Sequence, residues 1–186
     1  MSYGHLIQTQ DNNHARPLWR TVIFGRNPKI TLLRAALWAV VLLLISKFVF
    51  VPVRVSGISM LPTYHDRQVN FVNRLSYLRH EPQRGDVVAI RLSPALSTRL
   101  EAPHAMLLKR IVAMPGETVS FVGGHVMING QMLEEPYETL ECFWNIPAET
   151  LGPDEYFVVG DNRTMAEQDH TKGRCKRSQI LGKVIL

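Results

Sequence analysis

Two residues of this chain, fifty positions apart, could carry out nucleophilic chemistry together. Ser59 lies in the stretch 57–63, Gly-Ile-Ser-Met-Leu-Pro-Thr, and Lys109 lies within the apolar stretch 106–114. A serine hydroxyl is a weak nucleophile until a neighbouring base takes its proton. A lysine amine can be that base only when it is neutral. Ser59 and Lys109 are therefore the candidate nucleophile and general base of an acyl-transfer site.

Lys109 needs an apolar environment to act as a base near neutral pH. The pKa of a free lysine is about 10.4, and burial lowers it because an apolar environment disfavours the ammonium form. Alternate side chains of a strand share a face, so Leu107 and Ile111 would flank Lys109 on one side. The pattern predicts a shielded amine, and the alternative is a strand lysine that reaches solvent along its stem.

The residues around Ser59 favour an exposed bend. Gly57 tolerates unusual backbone dihedrals, and Pro62 fixes its own φ. An ordinary turn is the alternative interpretation of the same stretch. A Ser-His-Asp triad is a second catalytic option, for which the chain offers His104, His125 and His170.

An apolar segment that could cross a bilayer precedes Ser59. The segment 32–53 has about 22 residues, with Arg34 and Lys47 as its only charges, and a bilayer core needs about 20 helical residues. The pattern predicts a transmembrane helix over 32–53 that ends at Pro52. A cleavable signal peptide is the alternative, which the long leader and the lack of a small-x-small site after Ile45 disfavour.

The charge distribution predicts the orientation of that helix. The formal net charge is +5, and residues 1–34 hold one acid against the basic residues Arg16, Arg20, Arg26, Lys29 and Arg34. Basic residues beside a membrane span stay on the cytoplasmic side. We expect a basic cytoplasmic segment, 1–31, and a domain, 54–186, on the outer (periplasmic or extracellular) face of the plasma membrane. Aromatic residues do not alternate with the basic run, so no nucleic-acid partner is predicted.

Short β-rich runs dominate the domain 54–186, separated by turn signals such as Gly123-Gly124 and Asn129-Gly130, which fit tight hairpins. The predicted strands are 69–72, 87–92, 106–114, 118–122, 125–128, 131–133, 155–159 and 180–186. This spacing favours a mostly β fold, an antiparallel β-sandwich or partly open barrel on one N-terminal transmembrane helix. Cys142 and Cys175 could pair or stay free. No metal motif or nucleotide loop is visible, so no cofactor, metal or nucleotide is predicted.

Five stretches, in order behind the apolar segment, resemble the type I signal peptidases, the Ser/Lys family that includes the mitochondrial inner-membrane peptidases. The stretch 57–63 is similar to the family's nucleophile box, and 108–117, Leu-Lys-Arg-Ile-Val-Ala-Met-Pro-Gly-Glu, is similar to its lysine box. The others are Arg-Gly-Asp-Val-Val at 84–88, Val-Gly-Asp-Asn-Arg at 159–163 and Ile-Leu-Gly-Lys-Val at 180–184. The resemblance covers roughly residues 30–186.

The resemblance implies a membrane-anchored serine endopeptidase. It identifies Ser59 with the nucleophile, Lys109 with the general base, and the Ser59 backbone N–H with a donor to the oxyanion. Gly57 stands where some members carry a serine as a second oxyanion donor, and the sequence leaves that donor open. Asp161 of the Gly-Asp-Asn box and Asp169 match supporting residues of the family.

The implied substrates are the N-terminal signal peptides of exported preproteins, and membrane lipid is the other implied partner. Signal peptides end in a small-x-small motif beyond their hydrophobic core. An extended peptide of this kind can pair with the edge of a sheet while shallow pockets admit alternate side chains. By resemblance, Met60, Leu107 and Leu108 line those pockets.

The sequence departs from the family after the Gly-Asp-Asn box, where the family continues to Ser-x-Asp-Ser-Arg. Aligning Asp169 with the family aspartate needs about one inserted residue, and Glu167 or Ala166 then replaces the serine that orients the lysine. A carboxylate beside the lysine would raise the lysine pKa. Glu167 therefore points away, or Thr164 or Thr171 replaces the serine, or activity is weak. A weakly active or inactive β module, and a dedicated conjugation or pilin processing peptidase, are the alternative functions.

Overall fold

The computed structural model of the chain describes residues 27–92, 106–137 and 139–185. They belong to two units, one that ends at Leu43 and one that begins at Leu44. Most of the predicted basic segment, and His104, lie outside the described residues.

The first element is the apolar helix α1, Pro28–Phe48. Asn27 precedes it, and its side-chain oxygen accepts a hydrogen bond from the Lys29 N–H at 3.1 Å, as the residue before a helix often does. The stretch Lys29–Phe48 has a mean hydropathy of 1.9 and is, by length and composition, able to cross a membrane. The predicted apolar helix is therefore present.

The bounds of α1 differ from the predicted 32–53. The helix begins at Pro28, and strand β1, Phe50–Arg54, occupies the end of the predicted span. Aromatic and β-branched residues suit a strand, and β1 pairs over its whole length with residues 69–73. Pro52 therefore does not end the helix. It lies in an edge strand of the sheet, where proline is tolerated.

Ten further strands follow: β2 Val69–Asn73, β3 Val87–Arg91, β4 Met106–Ala113, β5 Thr118–Val122, β6 His125–Ile128, β7 Gln131–Met132, β8 Ile146–Thr150, β9 Glu155–Val159, β10 Gly173–Lys176 and β11 Ile180–Ile185. A seven-stranded sheet has the order β1-β2-β11-β3-β4-β9-β10, and a four-stranded sheet has the order β7-β6-β5-β8. The pairings are antiparallel. The predicted mostly β, antiparallel fold is confirmed, with two open sheets and no closed barrel.

Strands β1, β8 and β10 were not among the predicted strands. Strands β8 and β10 read Ile-Pro-Ala-Glu-Thr and Gly-Arg-Cys-Lys, which lack an apolar alternation. Both are edge strands, so pairing with β5 and β9 forms them rather than their own propensity. The two predicted hairpin turns are confirmed, because the residues 123, 124, 129 and 130 all have positive φ.

The two sheets share a buried core, in which one cluster joins side chains from β4, β5, β6 and β9. Strand β4 contributes side chains to all three core clusters. Its alternate residues face opposite sides of the sheet. Leu108 packs with Met60 in one cluster, whereas Ile111 packs in another, with the half-buried Leu107 against it. The predicted division of the two faces of β4 is thus confirmed.

Candidate active site

The structure brings Ser59 and Lys109 together. Lys109 lies in β4, between β3 and β9, and Ser59 lies in the turn that follows β1. Lys109 Nζ and Ser59 Oγ form a hydrogen bond of 2.7 Å, and Lys109 is only 2% exposed. The hydroxyl that could attack a carbonyl is therefore in contact with an amine that is shielded from water.

Burial sets the protonation of Lys109. Leu107 lies on its side of β4, and Val158 of β9 belongs to the same apolar surroundings. Removal of the ammonium from water lowers the pKa of Lys109 from its ordinary value to about 8, and the carboxylate of Asp161 opposes this effect. A cavity of about 180 Å³ opens beside the amine. Lys109 is therefore about half neutral near pH 8, where an ordinary lysine is almost fully protonated.

The loop after β9 holds the backbone of Ser59. The backbone N–H of Asn162 donates to the Ser59 carbonyl at 3.1 Å, and the Asn162 side chain donates to the Ile58 carbonyl at 3.1 Å. Gly160 packs against the same serine carbonyl, because a Cβ at Gly160 would lie 2.1 Å from that oxygen. The glycine is thus required by the close approach of two backbones.

Asp161, which lies between Gly160 and Asn162 in the chain, is fully buried. Its carboxylate accepts two hydrogen bonds from Arg110, from Nε at 2.8 Å and from Nη2 at 2.6 Å, and a third from the Thr63 hydroxyl. Such bidentate, charge-assisted pairs are the strong ones. Asp161 therefore anchors the loop that holds Ser59, and it also adds negative potential near Lys109.

A second layer of polar side chains covers the Arg110–Asp161 pair. Arg163 is buried, donates to the Gly160 carbonyl at 2.7 Å and pairs with Glu135 at 2.8 Å. Tyr137 donates to Glu135 at 2.8 Å, and its ring centroid lies 3.9 Å from the Arg110 guanidinium carbon. Glu135 and Tyr137 come from the loop after β7. No pattern in the sequence connected these two residues with the site.

The stretch after the Gly-Asp-Asn box places its acids away from Lys109. Glu167 and Asp169 lie in a short 3-10 turn, Glu167–Asp169, and are exposed. Glu167 pairs with Lys172 at 3.3 Å, so it points away, as one of the expectations required. Asp169 is not part of the site that the structure assembles. It lies on the surface in the 3-10 turn, so the structure gives no support to the supporting role expected from the resemblance.

Neither Thr164 nor Thr171 is hydrogen-bonded to the Lys109 amine in the described part of the chain. The Thr164 hydroxyl donates to the Asn162 side chain at 2.7 Å, and Thr171 is exposed at the mouth of the cavity. His170 is buried instead, at 4% exposed, but neither of its ring nitrogens has a hydrogen-bond partner among the described residues. His125 is exposed on a hairpin. The described part of the chain therefore assembles no Ser-His-Asp triad.

The other predicted residues occupy different surroundings. Met60 and Leu108 are buried together in the core, whereas Leu107 lines the cavity beside Lys109. The three predicted substrate-binding residues thus do not share one surface. Gly57 has a φ of 92°, and its N–H already donates to the Asp66 carboxylate at 2.8 Å.

The described residues contain no group of three or more His, Cys, Asp or Glu side chains that could hold a metal ion. Cys142 and Cys175 are free thiols, so of the two interpretations that the sequence left open, the structure has the unpaired one.

A serine beside a shielded amine, in an antiparallel β domain that follows an apolar helix in the chain, is an arrangement suited to a serine hydrolase. Comparison with known proteins is more specific. The family model for signal peptidase, peptidase S26, matches residues 29–186. The chain therefore belongs to the signal peptidase family, peptidase S26, which is a family of serine endopeptidases.

Individual relatives agree with the family match. The chain is 34% identical over 128 residues to signal peptidase I of Leptolyngbya laminosa, which covers 69% of this chain and 63% of the relative. It is 34% identical over 153 residues to probable signal peptidase I-1 of a Synechocystis species, and this match covers 82% of this chain and 77% of the relative. It is 35% identical over 162 residues to signal peptidase I S of Bacillus subtilis, and this match covers 80% of this chain and 83% of the relative. The chain thus spans between 63% and 83% of the length of these relatives.

Proposed function

We propose that this chain is a membrane-anchored signal peptidase that cleaves N-terminal signal peptides from exported preproteins, with Ser59 as nucleophile and Lys109 as general base. The observation that carries the proposal is the 2.7 Å contact between Lys109 Nζ and Ser59 Oγ. The burial of the amine also supports the proposal, because burial lowers the pKa of Lys109 and makes its neutral, basic form available. The family match supports the same substrate class.

The proposed reaction has two halves. Neutral Lys109 takes the hydroxyl proton while Ser59 Oγ attacks the scissile carbonyl, and the tetrahedral intermediate collapses to an acyl-enzyme. The ammonium of Lys109 returns that proton to the leaving amine, which is the new N-terminus of the mature protein. Lys109 then takes a proton from water as the water oxygen attacks the acyl carbonyl. The Lys109 ammonium returns that proton to Ser59 Oγ as the ester C–O bond breaks, which releases the signal peptide with a free C-terminal carboxyl group and restores the Ser59 hydroxyl and the neutral amine.

The developing oxyanion needs a hydrogen-bond donor, and the Ser59 backbone N–H is our candidate. It is not engaged with any of the described residues, and donors aimed at such an oxygen lower the barrier by several kcal/mol. The Gly57 N–H is already bonded to Asp66. We therefore assign one donor to Ser59 and none to Gly57.

The proposed anchor is α1, with the basic N-terminal segment in the cytoplasm and the β domain on the outer face. Basic residues flank the start of the apolar helix, which favours this orientation. Ser59 follows the end of α1 by eleven residues, so the chain can carry it at most about 40 Å from that end. A substrate that leaves the bilayer in an extended form would meet Ser59 near the membrane surface.

Processing of a preprotein in vitro tests the function. The full chain, purified in detergent or in vesicles, should cut a preprotein after its small-x-small motif and leave one defined mature N-terminus. The matched control is the same preprotein with a large residue in place of the last small one, and it should stay uncut. Failure to cut any of a panel of preproteins, with the chain folded, would favour the inactive β module. Cutting of one member only would favour a dedicated peptidase.

The proposed base predicts the pH dependence of cleavage. Because only the neutral amine is active, kcat/KM should rise as the pH increases and level off above the pKa of Lys109, which burial lowers to about 8. The measurement is kcat/KM for a peptide substrate between about pH 6 and pH 10, where an ordinary lysine would give a limb near 10.4. An acid limb near 6.5, the ordinary value for histidine, would contradict a lysine base.

A further inference from the structure

A mostly apolar cavity of about 200 Å³ opens at one end of the strands of the seven-stranded sheet. Five neighbouring strands, β1, β2, β11, β3 and β4, contribute to its border or lead directly into it. The border consists of four apolar side chains and two arginines: Val51, Val72, Arg74, Arg91, Met106 and Leu181. No acid lies among these residues, so the cavity combines an apolar wall with positive charge.

The two arginines of this cavity have no acidic partner in the described part of the chain. Arg74 and Arg91 are both exposed, and neither forms an ion pair with any of residues 27–92, 106–137 and 139–185. A guanidinium group presents parallel N–H donors that match the oxygens of a phosphate. Two such groups at one apolar cavity are therefore complementary to a ligand with an anionic head and an apolar tail.

The cavity lies at the end of the sheet where the chain arrives from α1. Strands β2 and β3 both pair antiparallel with β11, so they end at the same side, and β1 begins there because it pairs antiparallel with β2. The backbone N–H of Arg74 donates to the Val49 carbonyl at 3.0 Å. Val51 follows Phe48, the last residue of α1, by three positions, so the chain spans at most about 11 Å between them. With α1 as the proposed membrane anchor, the cavity is within reach of the lipid headgroups.

The turn after β2 adds exposed apolar side chains at this end of the sheet. Leu75 and Leu78 are 48% and 72% exposed, and they follow Arg74 in the chain. Large exposed apolar side chains next to basic ones are typical of surfaces that enter the membrane interface. These leucines are a separate reason to expect lipid at this end of the sheet.

We propose that this cavity binds one anionic phospholipid of the surrounding membrane. The guanidinium groups of Arg74 and Arg91 hold the phosphodiester, and the aliphatic wall takes the first part of an acyl chain. Pockets that enclose drug-sized ligands begin at about 300 Å³, so this smaller cavity takes only part of the lipid. The inference rests on the membrane anchor of the proposed function.

Lipid binding to the full-length protein tests the inference. The protein, purified in a neutral detergent and freed of lipid, is titrated with dihexanoyl phosphatidylglycerol, and bound lipid is counted by native mass spectrometry. We expect one lipid per chain, bound at least about tenfold more tightly than dihexanoyl phosphatidylcholine, because the choline cation offsets the phosphate charge. Glycerol phosphate carries the anion without the chains, so it should also bind at least about tenfold more weakly.

Two variants separate the charge of the cavity from its apolar wall. Arg74→Gln/Arg91→Gln should lower the affinity for phosphatidylglycerol about 10–30-fold and change that for phosphatidylcholine little. Leu181→Phe fills the cavity and keeps both arginines, so it should weaken phosphatidylglycerol binding and leave that of glycerol phosphate unchanged. The matched control, Arg54→Gln/Lys176→Gln, removes the same charge from exposed residues at the opposite end of the strands and should bind lipid like the wild type.

Several results would overturn the inference. They are the absence of bound lipid, equal affinity of the wild type for the two lipids, and a Leu181→Phe variant with wild-type affinity. A control double variant that loses as much affinity as Arg74→Gln/Arg91→Gln would do the same, since binding would then follow net charge and not the cavity. Should circular dichroism show that Leu181→Phe is unfolded, Met106→Phe replaces it in the same comparison.

The failure of this inference can be told from the failure of the proposed function, because the two have separate readouts. A wild type that cuts preproteins but shows no preference between the lipids would remove the inference alone. A wild type that binds phosphatidylglycerol through the two arginines but cuts no preprotein would remove the proposed peptidase activity and leave the lipid site in place.

Discussion

Replacing Lys109 with methionine is expected to lower kcat for preprotein cleavage by about 10³-fold or more, and replacing Ser59 with alanine should leave only background hydrolysis. Methionine keeps an apolar stem in the buried site but has no lone pair of sufficient basicity. Lys109→Arg should be equally inactive, because a guanidinium stays protonated at every working pH. The measurement is single-turnover cleavage of a preprotein by full-length variants.

The controls use the same substitutions at exposed positions. Ser56→Ala lies three residues before the nucleophile, and Lys176→Met lies at the end of β10; both side chains are exposed. Both should cleave at the wild-type rate. Because a nucleophile and its base act as a unit, the Ser59→Ala/Lys109→Met double variant should be no slower than Ser59→Ala alone. Strictly additive losses, or a Lys109→Met variant with more than about a tenth of the wild-type rate, would contradict the pairing.

Ser59 and Lys109, the two residues proposed to react, could be selected from the sequence because the proposed chemistry is carried by their own side chains. A serine between a glycine and a proline, and a lysine between Leu107 and Ile111 in a strand, are local patterns. The strand period alone placed Lys109 on an apolar face, and the structure confirms that environment. The lowered pKa then follows from burial, as the same pattern indicated.

The residues that hold this pair could not be predicted in the same way. Asn162 acts through hydrogen bonds to the backbone of residues 58 and 59, about a hundred positions earlier, and no local pattern reports such a contact. Glu135 and Tyr137 reach the site only because the loop after β7 passes over Arg110. The exposed position of Asp169 depends on the path of the loop and its 3-10 turn after β9. Tertiary structure, rather than residue type, decides each of these contacts.

The secondary-structure elements likewise fall into those that local sequence predicts and those that depend on pairing between distant strands. Strands with β-branched alternation and hairpins with glycine turns were predicted, since their signals lie within about ten residues. The bounds of α1 were shifted because residues 50–53 are apolar enough for a membrane and also suited to a strand. Pairing with β2 decides between the two. The short edge strands β8 and β10 exist for the same reason.

The buried ion pair behind the site gives the largest expected effect on stability. Asp161→Ala leaves the Arg110 guanidinium buried without its partner, and loss of one member of a buried pair costs about 3–5 kcal/mol of the free energy of unfolding. Urea unfolding of the full chain in detergent, followed by near-ultraviolet circular dichroism, measures this loss. The much more solvent-accessible pair of Arg174 and Glu149 is the control, and Glu149→Ala should cost less than about 1 kcal/mol.

A second substitution at the same position separates stability from electrostatics. Asp161→Asn keeps the shape of the side chain and removes its charge, which raises the pKa of Lys109 in the wild type. Without that charge the ammonium is less favoured, so the acid limb of kcat/KM should move to lower pH. An Arg110→Met/Asp161→Leu double variant, which leaves no unpaired charge, should be more stable than Asp161→Ala. A double variant as unstable as the single one would mean that the pair is needed for its other hydrogen bonds, from Thr63 to Asp161 and from Arg110 to the Gly85 carbonyl, and not for its charge balance.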